Sequence, residues 1–179
     1  MSTINKKETT LAAASHYAIY LGIFWIFKYL FLMGAEYNDL YLYIYNLLNI
    51  GTPILFYALT CVYRDKRLGG TISFGKVVAF AVLLFLFASF LEAVVIAINV
   101  IIVNPGYLTN LEEQVYLFYE KIGMSDQFLS IVEESLKIDT ISFIVYQMIT
   151  NVILGLILSL LLGHFISKKK STNNHNSQQ

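Results

Sequence analysis

The chain has 179 residues, of which 57% are hydrophobic and only 13% are charged. Soluble domains carry about twice that share of charged residues, so the composition indicates a membrane protein. Twelve basic residues balance twelve acidic ones, which argues against a nucleic-acid-binding surface, and the single Cys61 excludes an internal disulfide framework or a thiolate metal cluster.

Four apolar stretches are long enough to cross a bilayer, which takes about 20 mostly apolar residues. They run over residues 12–33, 40–63, 77–103 and 141–166. Because lipid offers no hydrogen-bond partner to the backbone, each stretch is predicted to be a helix. We therefore expect an all-α integral membrane protein, with residues 1–170 forming a four-helix transmembrane bundle. Residues 171–179 are polar and are predicted to form a disordered tail.

Between the third and fourth spans, residues 107–138 have the pattern of an amphipathic helical hairpin. Thr109 opens a capping-box pattern, which is typical of a helix start. Gly123 suits the left-handed residue that ends a helix, and Ser125 or Asp126 can cap a second one. Two interpretations remain open: a lid packed on the membrane surface and the other helices, or a docking surface for an extracytoplasmic partner.

The distribution of basic residues predicts the orientation. Nine of them lie in the N-terminal tail, the loop between the second and third spans, and the C-terminal tail, whereas the opposite side has only Lys121 and Lys137. The positive-inside rule therefore places both termini in the cytoplasm and the hairpin outside. The basic loop from Arg64 to Lys76 has the charge to bind anionic lipid headgroups, although topology alone explains that charge.

Glu92 is the outstanding residue of the four spans. It lies about 22 Å from the inner end of its span and about 16 Å from the outer end, so its carboxylate cannot reach either surface. It must be protonated, paired or hydrated. Lys28 falls at a similar depth, where it either snorkels to the outer headgroups or pairs with Glu92. Such a pair fits a structural staple and ion coupling alike.

Other polar residues reach the same depth on the remaining helices. Pro53 removes the hydrogen bond to the carbonyl of Asn49 and should kink the second span. The fourth span carries a stripe of small residues that favours close helix packing, namely Gly155, Ser159 and Gly163. The predicted polar layer consists of Lys28, Asn46, Asn49, Pro53, Ser89, Glu92, Gln147 and Asn151. This layer either holds the helices together by hydrogen bonds or forms a small binding or ion-translocation cavity open to the outside. The stripe of small residues on the fourth span also allows oligomerisation.

Several segments together resemble one known family. The third span follows the segment YRDKRLGGTISFGK and ends in NPGYL. It is followed by an acidic helix, the turn Gly123-Met124-Ser125, a glycine-bearing fourth span and a lysine run. This order resembles a bacterial four-span family catalogued as domain of unknown function 4199, found in Gram-negative bacteria of the Bacteroides type. The resemblance implies an inner-membrane protein with no assigned activity, and it carries over no catalytic residues.

No nucleophile, base and orienting group can be assembled from the sequence, so we expect a non-enzymatic protein without a metal or cofactor. The expected partners are the lipid bilayer and a second copy or a membrane or periplasmic protein bound through residues 107–138, but no nucleic acid. The leading expectation is a scaffold or partner-binding protein. The alternative is a small ion-coupled transporter or channel-like binder centred on Glu92, which a water-accessible cavity reaching that residue would favour.

Overall fold

A computed structural model of the protein describes residues 9–168, and this range is almost entirely helical, without a strand. The long helices are α1 (Thr10–Gly34), α4 (Phe74–Ile98) and α7 (Thr140–Lys168), and α4 continues into a π-helical turn over Asn99–Val103. The shorter helices are α2 (Asp39–Asn49), α3 (Gly51–Arg67), α5 (Tyr107–Lys121) and α6 (Asp126–Leu136).

Four helical segments are long and apolar enough to cross a membrane. They are α1, α2 together with α3, α4 together with its π-helical turn, and α7. Each contains one of the four apolar stretches found in the sequence, so the all-helical class and the four candidate spans are confirmed. The division into a domain of residues 1–170 and a tail stays a prediction, and residues 171–179 lie outside the described range.

The second candidate span is interrupted at Ile50, between α2 and α3. Pro53 lacks the N–H that would bond to the carbonyl of Asn49, four residues earlier, so the sequence already predicts an irregularity at this point. Gly51 opens α3 against the ring of Phe24, where an added Cβ would lie 2.6 Å from Cζ. The absence of a side chain at Gly51 therefore lets α1 approach the start of α3.

The described chain divides into two compact units by its contacts. The first comprises the chain up to Glu92 together with the chain from Met148 onward, and it contains the main apolar core. In this core Tyr63 stacks on Phe80 with ring centroids 4.4 Å apart, and Trp25 meets the ring of Phe85 edge to face at 5.3 Å. These aromatic contacts join α1, α3 and α4.

The second unit, residues 93–147, contains α5 and α6. Gly123 has φ +78° between them, and Ser125 caps α6 by accepting the N–H of Phe128 at 3.4 Å, as the sequence predicts. The predicted start at Thr109 is wrong, because α5 begins at Tyr107 with no side-chain cap. The preceding turn, in which Tyr107 N–H bonds to the carbonyl of Asn104 at 3.0 Å, already leads the backbone into the helix.

Candidate functional site

Lys28, on α1, is almost fully buried, with 9% of its surface exposed. Its Nζ donates to Oδ1 of Asn49 at 3.0 Å, across from the C-terminal end of α2. The ammonium also lies 5.2 Å from the ring centroid of Tyr45 and 6.0 Å from that of Trp25. An amide oxygen and two aromatic rings therefore surround this cation, and rings of this kind attract a positive charge.

Glu92, on α4, is 5% exposed. Its Oε2 accepts a hydrogen bond from Nδ2 of Asn151, on α7, at 2.6 Å. Ser89, one turn earlier on α4, does not take part, because its hydroxyl donates to the carbonyl of Leu86 in its own helix at 2.7 Å. The amide of Asn151 is thus the group that α7 contributes to the buried carboxylate.

Lys28 and Glu92 do not form the direct pair that their matching depths suggest. Among the described residues, Arg64 and Asp65 form an ion pair within 4.0 Å, but Lys28 and Glu92 do not. Lys28 and Glu92 are still near enough to interact electrostatically. Each is instead hydrogen-bonded to an asparagine on a neighbouring helix, so the partner suggested by depth alone is wrong.

A cavity of about 370 Å³ lies beside these groups. Inside it the indole Nε1 of Trp25 donates to the hydroxyl of Thr52 at 3.2 Å. Asn151 lines the cavity, whereas Glu92 does not line it and is connected to it through its hydrogen bond with Asn151. The cavity is lined by Trp25, Lys28, Asn49, Thr52, Pro53, Asn151, Leu154 and Leu158.

Four residues of the predicted polar layer line this one cavity: Lys28, Asn49, Pro53 and Asn151. Glu92 joins them through Asn151. The other three are elsewhere: Asn46 is exposed on α2, Ser89 is bonded within α4, and Gln147 belongs to the second unit. Across residues 9–168 no group of three or more His, Cys, Asp or Glu side chains is placed to hold a metal ion.

The small-residue stripe of α7 lies against α4. Gly155, Ser159 and Gly163 are all buried. A Cβ at Gly155 would lie 2.6 Å from Cγ of Phe85, and one at Gly163 would lie 3.2 Å from the ring of Phe74. The stripe is therefore a close helix–helix contact inside the first unit, where larger side chains have no room.

Two features of this unit were missed by sequence reasoning. Arg64 was interpreted as part of a basic loop whose charge reflects topology or binds lipid headgroups, yet it is 3% exposed and its Nη1 donates to the carbonyl of Ile166, near the end of α7, at 3.0 Å. Basic side chains often bond the last carbonyls of a helix, but nothing in the sequence says which helix. The bond from Trp25 to Thr52 had one signal, since a buried indole N–H requires an acceptor.

The comparisons with known proteins agree with the resemblance seen in the sequence. The family described as "Protein of unknown function (DUF4199)" matches residues 16–168, a range that includes all four candidate spans almost completely. Neither a curated protein nor a solved structure matches the chain. The polar cavity, the asparagine-bound charges and the glycine stripe all fall within the matched range, and the chain belongs to the DUF4199 family.

Proposed function

We propose that this chain is a multi-pass protein of the bacterial inner membrane that acts as a non-enzymatic scaffold or partner-binding protein. The four apolar helices support membrane insertion. The charge distribution supports cytoplasmic termini and an extracytoplasmic α5–α6 segment. In this arrangement α5 and α6 are the part of the chain that meets partners outside the bilayer.

The exposed apolar side chains of α5 and α6 are the observation that carries this proposal. Phe118 and Ile122 on the α5 side are 59% and 50% exposed, and Ile131 on α6 is 62% exposed. Large apolar and aromatic side chains left in contact with water mark interaction sites, and a few such anchors supply most of the binding energy of an interface. The occupant proposed here is a second copy or a membrane or periplasmic protein.

The buried charges support binding rather than catalysis. Lys28 and Glu92 each have an asparagine as hydrogen-bond partner, which is an arrangement that positions helices. A general acid or base needs hydrogen-bond reach of a substrate, and Glu92 is separated from the cavity by Asn151. The polar layer then serves to hold α1, α2, α4 and α7 in register.

Capture of interacting proteins from membranes tests the proposal. The variant Phe118→Ser with Ile131→Ser should lose partners that the wild-type protein retains after cross-linking and detergent extraction. Tyr37→Ser is the matched control, because Tyr37 is an 83% exposed aromatic residue between α1 and α2. Unchanged capture by the double variant, or a wild-type protein that captures neither a second copy nor another protein, would contradict the scaffold role.

The cavity supports a second function, a small ion-coupled transporter or channel-like binder centred on Glu92. About 370 Å³ of space adjoins the amide that holds this carboxylate. A buried acid beside a polar cavity is typical of a proton or cation pathway. In this alternative Asn151 has to move for the cavity to reach the carboxylate.

Flux into proteoliposomes separates this alternative from the scaffold role. A transporter should carry protons or Na⁺ down an imposed gradient, and Glu92→Gln should abolish the flux. Glu113→Gln is the matched control, since it removes an exposed carboxylate from α5. Wild-type vesicles as tight as protein-free ones would eliminate the transporter.

A further inference from the structure

A second cavity lies at the other end of α1, far along the helix from Lys28. It is a groove of about 420 Å³ between the N-terminal half of α1 and the C-terminal half of α3. It shares no lining residue with the polar cavity. The groove is lined by His16, Tyr17, Tyr20, Leu59, Val62, Lys66 and Arg67.

The groove changes from basic to apolar along α3. Lys66 and Arg67 lie in the last turn of the helix and are exposed. Val62 and Leu59 precede Arg67 by five and eight residues, which is about 8 and 12 Å along the helix axis. One end of the groove is therefore cationic, and the wall deeper along the same helix is aliphatic. A ligand that fits both parts has a charged head and an apolar tail.

The charge of the lining selects an anion. Lys66 and Arg67 contribute two positive charges, and none of the lining residues is acidic. The neighbouring Asp65 is in an ion pair with Arg64, with Nε and Oδ1 2.7 Å apart. A zwitterionic headgroup would find no carboxylate in this lining for its ammonium group. The lining therefore matches a phosphate diester that carries a net negative charge.

Contacts of Tyr63 and Arg64, which do not line the groove, hold its walls in place. The hydroxyl of Tyr63, on α3, donates to the hydroxyl of Thr10, on α1, at 3.2 Å. The ring of Tyr63 also meets that of Tyr17 with centroids 6.4 Å apart. Arg64 ties the same turn of α3 to the carbonyl of Ile166. A groove that is already formed spares a ligand the free-energy cost of ordering it.

We propose that this groove binds an anionic phospholipid. Lys66 and Arg67 contact the phosphate diester, and an acyl chain lies along Leu59, Val62 and the ring of Tyr20. Basic pockets between helices on the cytoplasmic side of a membrane bind anionic headgroups in this way. The proposal rests on membrane insertion with this end of α3 in the cytoplasm, as proposed above. It goes beyond the positive-inside rule, which requires positive charge at this end but no groove.

Lipid retention measured by native mass spectrometry tests this site. The full-length protein is released from micelles that contain phosphatidylglycerol and phosphatidylcholine with the same acyl chains. We expect the wild-type protein to retain phosphatidylglycerol in preference. The variants Lys66→Gln and Arg67→Gln should each weaken that retention about five-fold, because one basic residue near an anionic surface contributes about 1 kcal/mol. Both side chains are exposed, and an unchanged unfolding temperature of each variant shows that the fold is retained.

One control variant, one further variant and a competition experiment identify the site and the class of ligand. Lys76→Gln removes the same charge from the first turn of α4, outside the groove, so it should leave retention unchanged. Tyr20→Ser alters the proposed acyl-chain wall at an exposed position, so it should weaken retention of long-chain phosphatidylglycerol. Neither glycerol phosphate nor inorganic phosphate at millimolar concentration should displace the lipid.

Equal retention of the two lipids by the wild-type protein would overturn the inference. So would an equal loss from Lys76→Gln and Lys66→Gln, which would reduce the effect to the total positive charge of the α3–α4 junction. Displacement by inorganic phosphate with no effect of Tyr20→Ser would identify a phosphate site and exclude a lipid. Cell fractionation distinguishes a failure of this inference from a failure of the proposed function. A protein that fractionates with the membrane but shows no lipid preference refutes only this inference. A protein found outside the membrane refutes the proposed function as well.

Discussion

Lys28 and Glu92 are both buried, and each is hydrogen-bonded to an asparagine instead of to the other. This arrangement satisfies both charges without bringing them into contact. Loss of one charge leaves the other without its nearest electrostatic counterpart, but the amide partner remains in place. The arrangement therefore predicts weaker coupling than a direct ion pair, in which removal of one partner costs about 3–5 kcal/mol.

A double-mutant cycle on the free energy of unfolding in detergent measures that coupling. Lys28→Met and Glu92→Gln should each destabilise the protein, and the double variant should recover about 1 kcal/mol of the summed losses, near the low end of the range for interacting residues. A second cycle, with Glu92→Leu and Asn151→Leu, should give a larger coupling because that contact is a hydrogen bond of 2.6 Å.

Simple additivity in the first cycle would mean that the two charges act independently. Coupling of 3 kcal/mol or more would instead mean that Lys28 and Glu92 pair directly in the folded protein. Either result would contradict the asparagine-mediated arrangement. The second cycle calibrates the first, since both use the same buried carboxylate.

At the scale of elements, the contact between α4 and α7 depends on glycine. A Cβ at Gly155 would lie 2.6–2.9 Å from three atoms of Phe85, whereas at Gly163 the nearest atoms lie at 3.2–3.3 Å. We expect Gly155→Ala to lower the free energy of unfolding by about 1–3 kcal/mol, the usual cost of overpacking. Gly163→Ala should lower it less, because smaller shifts of Phe74 and Val77 suffice.

Gly75 is the matched control for this series. It lies in the first turn of α4, and an added Cβ there would meet nothing within 4 Å. Gly75→Ala should leave stability unchanged or raise it slightly, since alanine favours helix over glycine. Unfolding measured by intrinsic fluorescence in detergent checks the order of the three variants. Equal stability of all three would show that α7 does not pack closely on α4.

The start of α7 is set by Asp139. Its carboxylate accepts hydrogen bonds from the hydroxyl of Ser142 at 2.6 Å and from the backbone N–H groups of Ser142 and Ile141 at 3.1 and 2.9 Å. The bond from the Ser142 hydroxyl, followed by the backbone bonds, lowers the pKa of Asp139 below its ordinary value. The ionised carboxylate is thus the form that caps the helix.

This cap gives a pH dependence of known sign. The pKa of Asp139 is lower in the folded than in the unfolded chain. The stabilisation that its carboxylate gives to the start of α7 is therefore fully present above the unfolded value of about 3.8. It is lost as the pH falls through the lower, folded value. We expect Asp139→Asn to be less stable than the wild-type protein at pH 6 and to approach it under strongly acidic conditions. A constant difference in unfolding temperature between pH 6 and pH 2 would contradict this role.

At the scale of the whole molecule, the distribution of charge leads to a prediction about topology. A reporter that is active only in the cytoplasm should work when fused after Lys170 and fail when inserted near Glu120. The reason is the excess of basic residues at the termini and over the segment from Arg64 to Lys76, where α3 ends and α4 begins. The same reporter in the loop between α3 and α4, after Gly69, is a further control and should be active. The reverse pattern would overturn the orientation and, with it, the cytoplasmic lipid site.

Local signals in the sequence determined the helical class, the four candidate spans and several helix ends. An apolar run of sufficient length has no other means of satisfying its backbone in lipid. The break before Pro53, the left-handed Gly123 and the Ser125 cap likewise depend on a few adjacent residues. Membership of the DUF4199 family was also readable from short segments such as GGTISFG, because they are specific and lie in a defined order.

Only the tertiary structure decided which polar groups meet. Asn49 bonds Lys28 from 21 residues away, Asn151 bonds Glu92 from 59 residues away, and Arg64 reaches the carbonyl of Ile166 across 102 residues. The rise of 1.5 Å per residue fixes the level of each side chain along its own helix, and this is the information on which the sequence prediction of a polar layer rests. Rotation of each helix about its axis and the choice of its neighbours come from the packing of all the helices together. Depth alone for that reason suggested a Lys28–Glu92 pair, whereas packing placed an asparagine beside each charge.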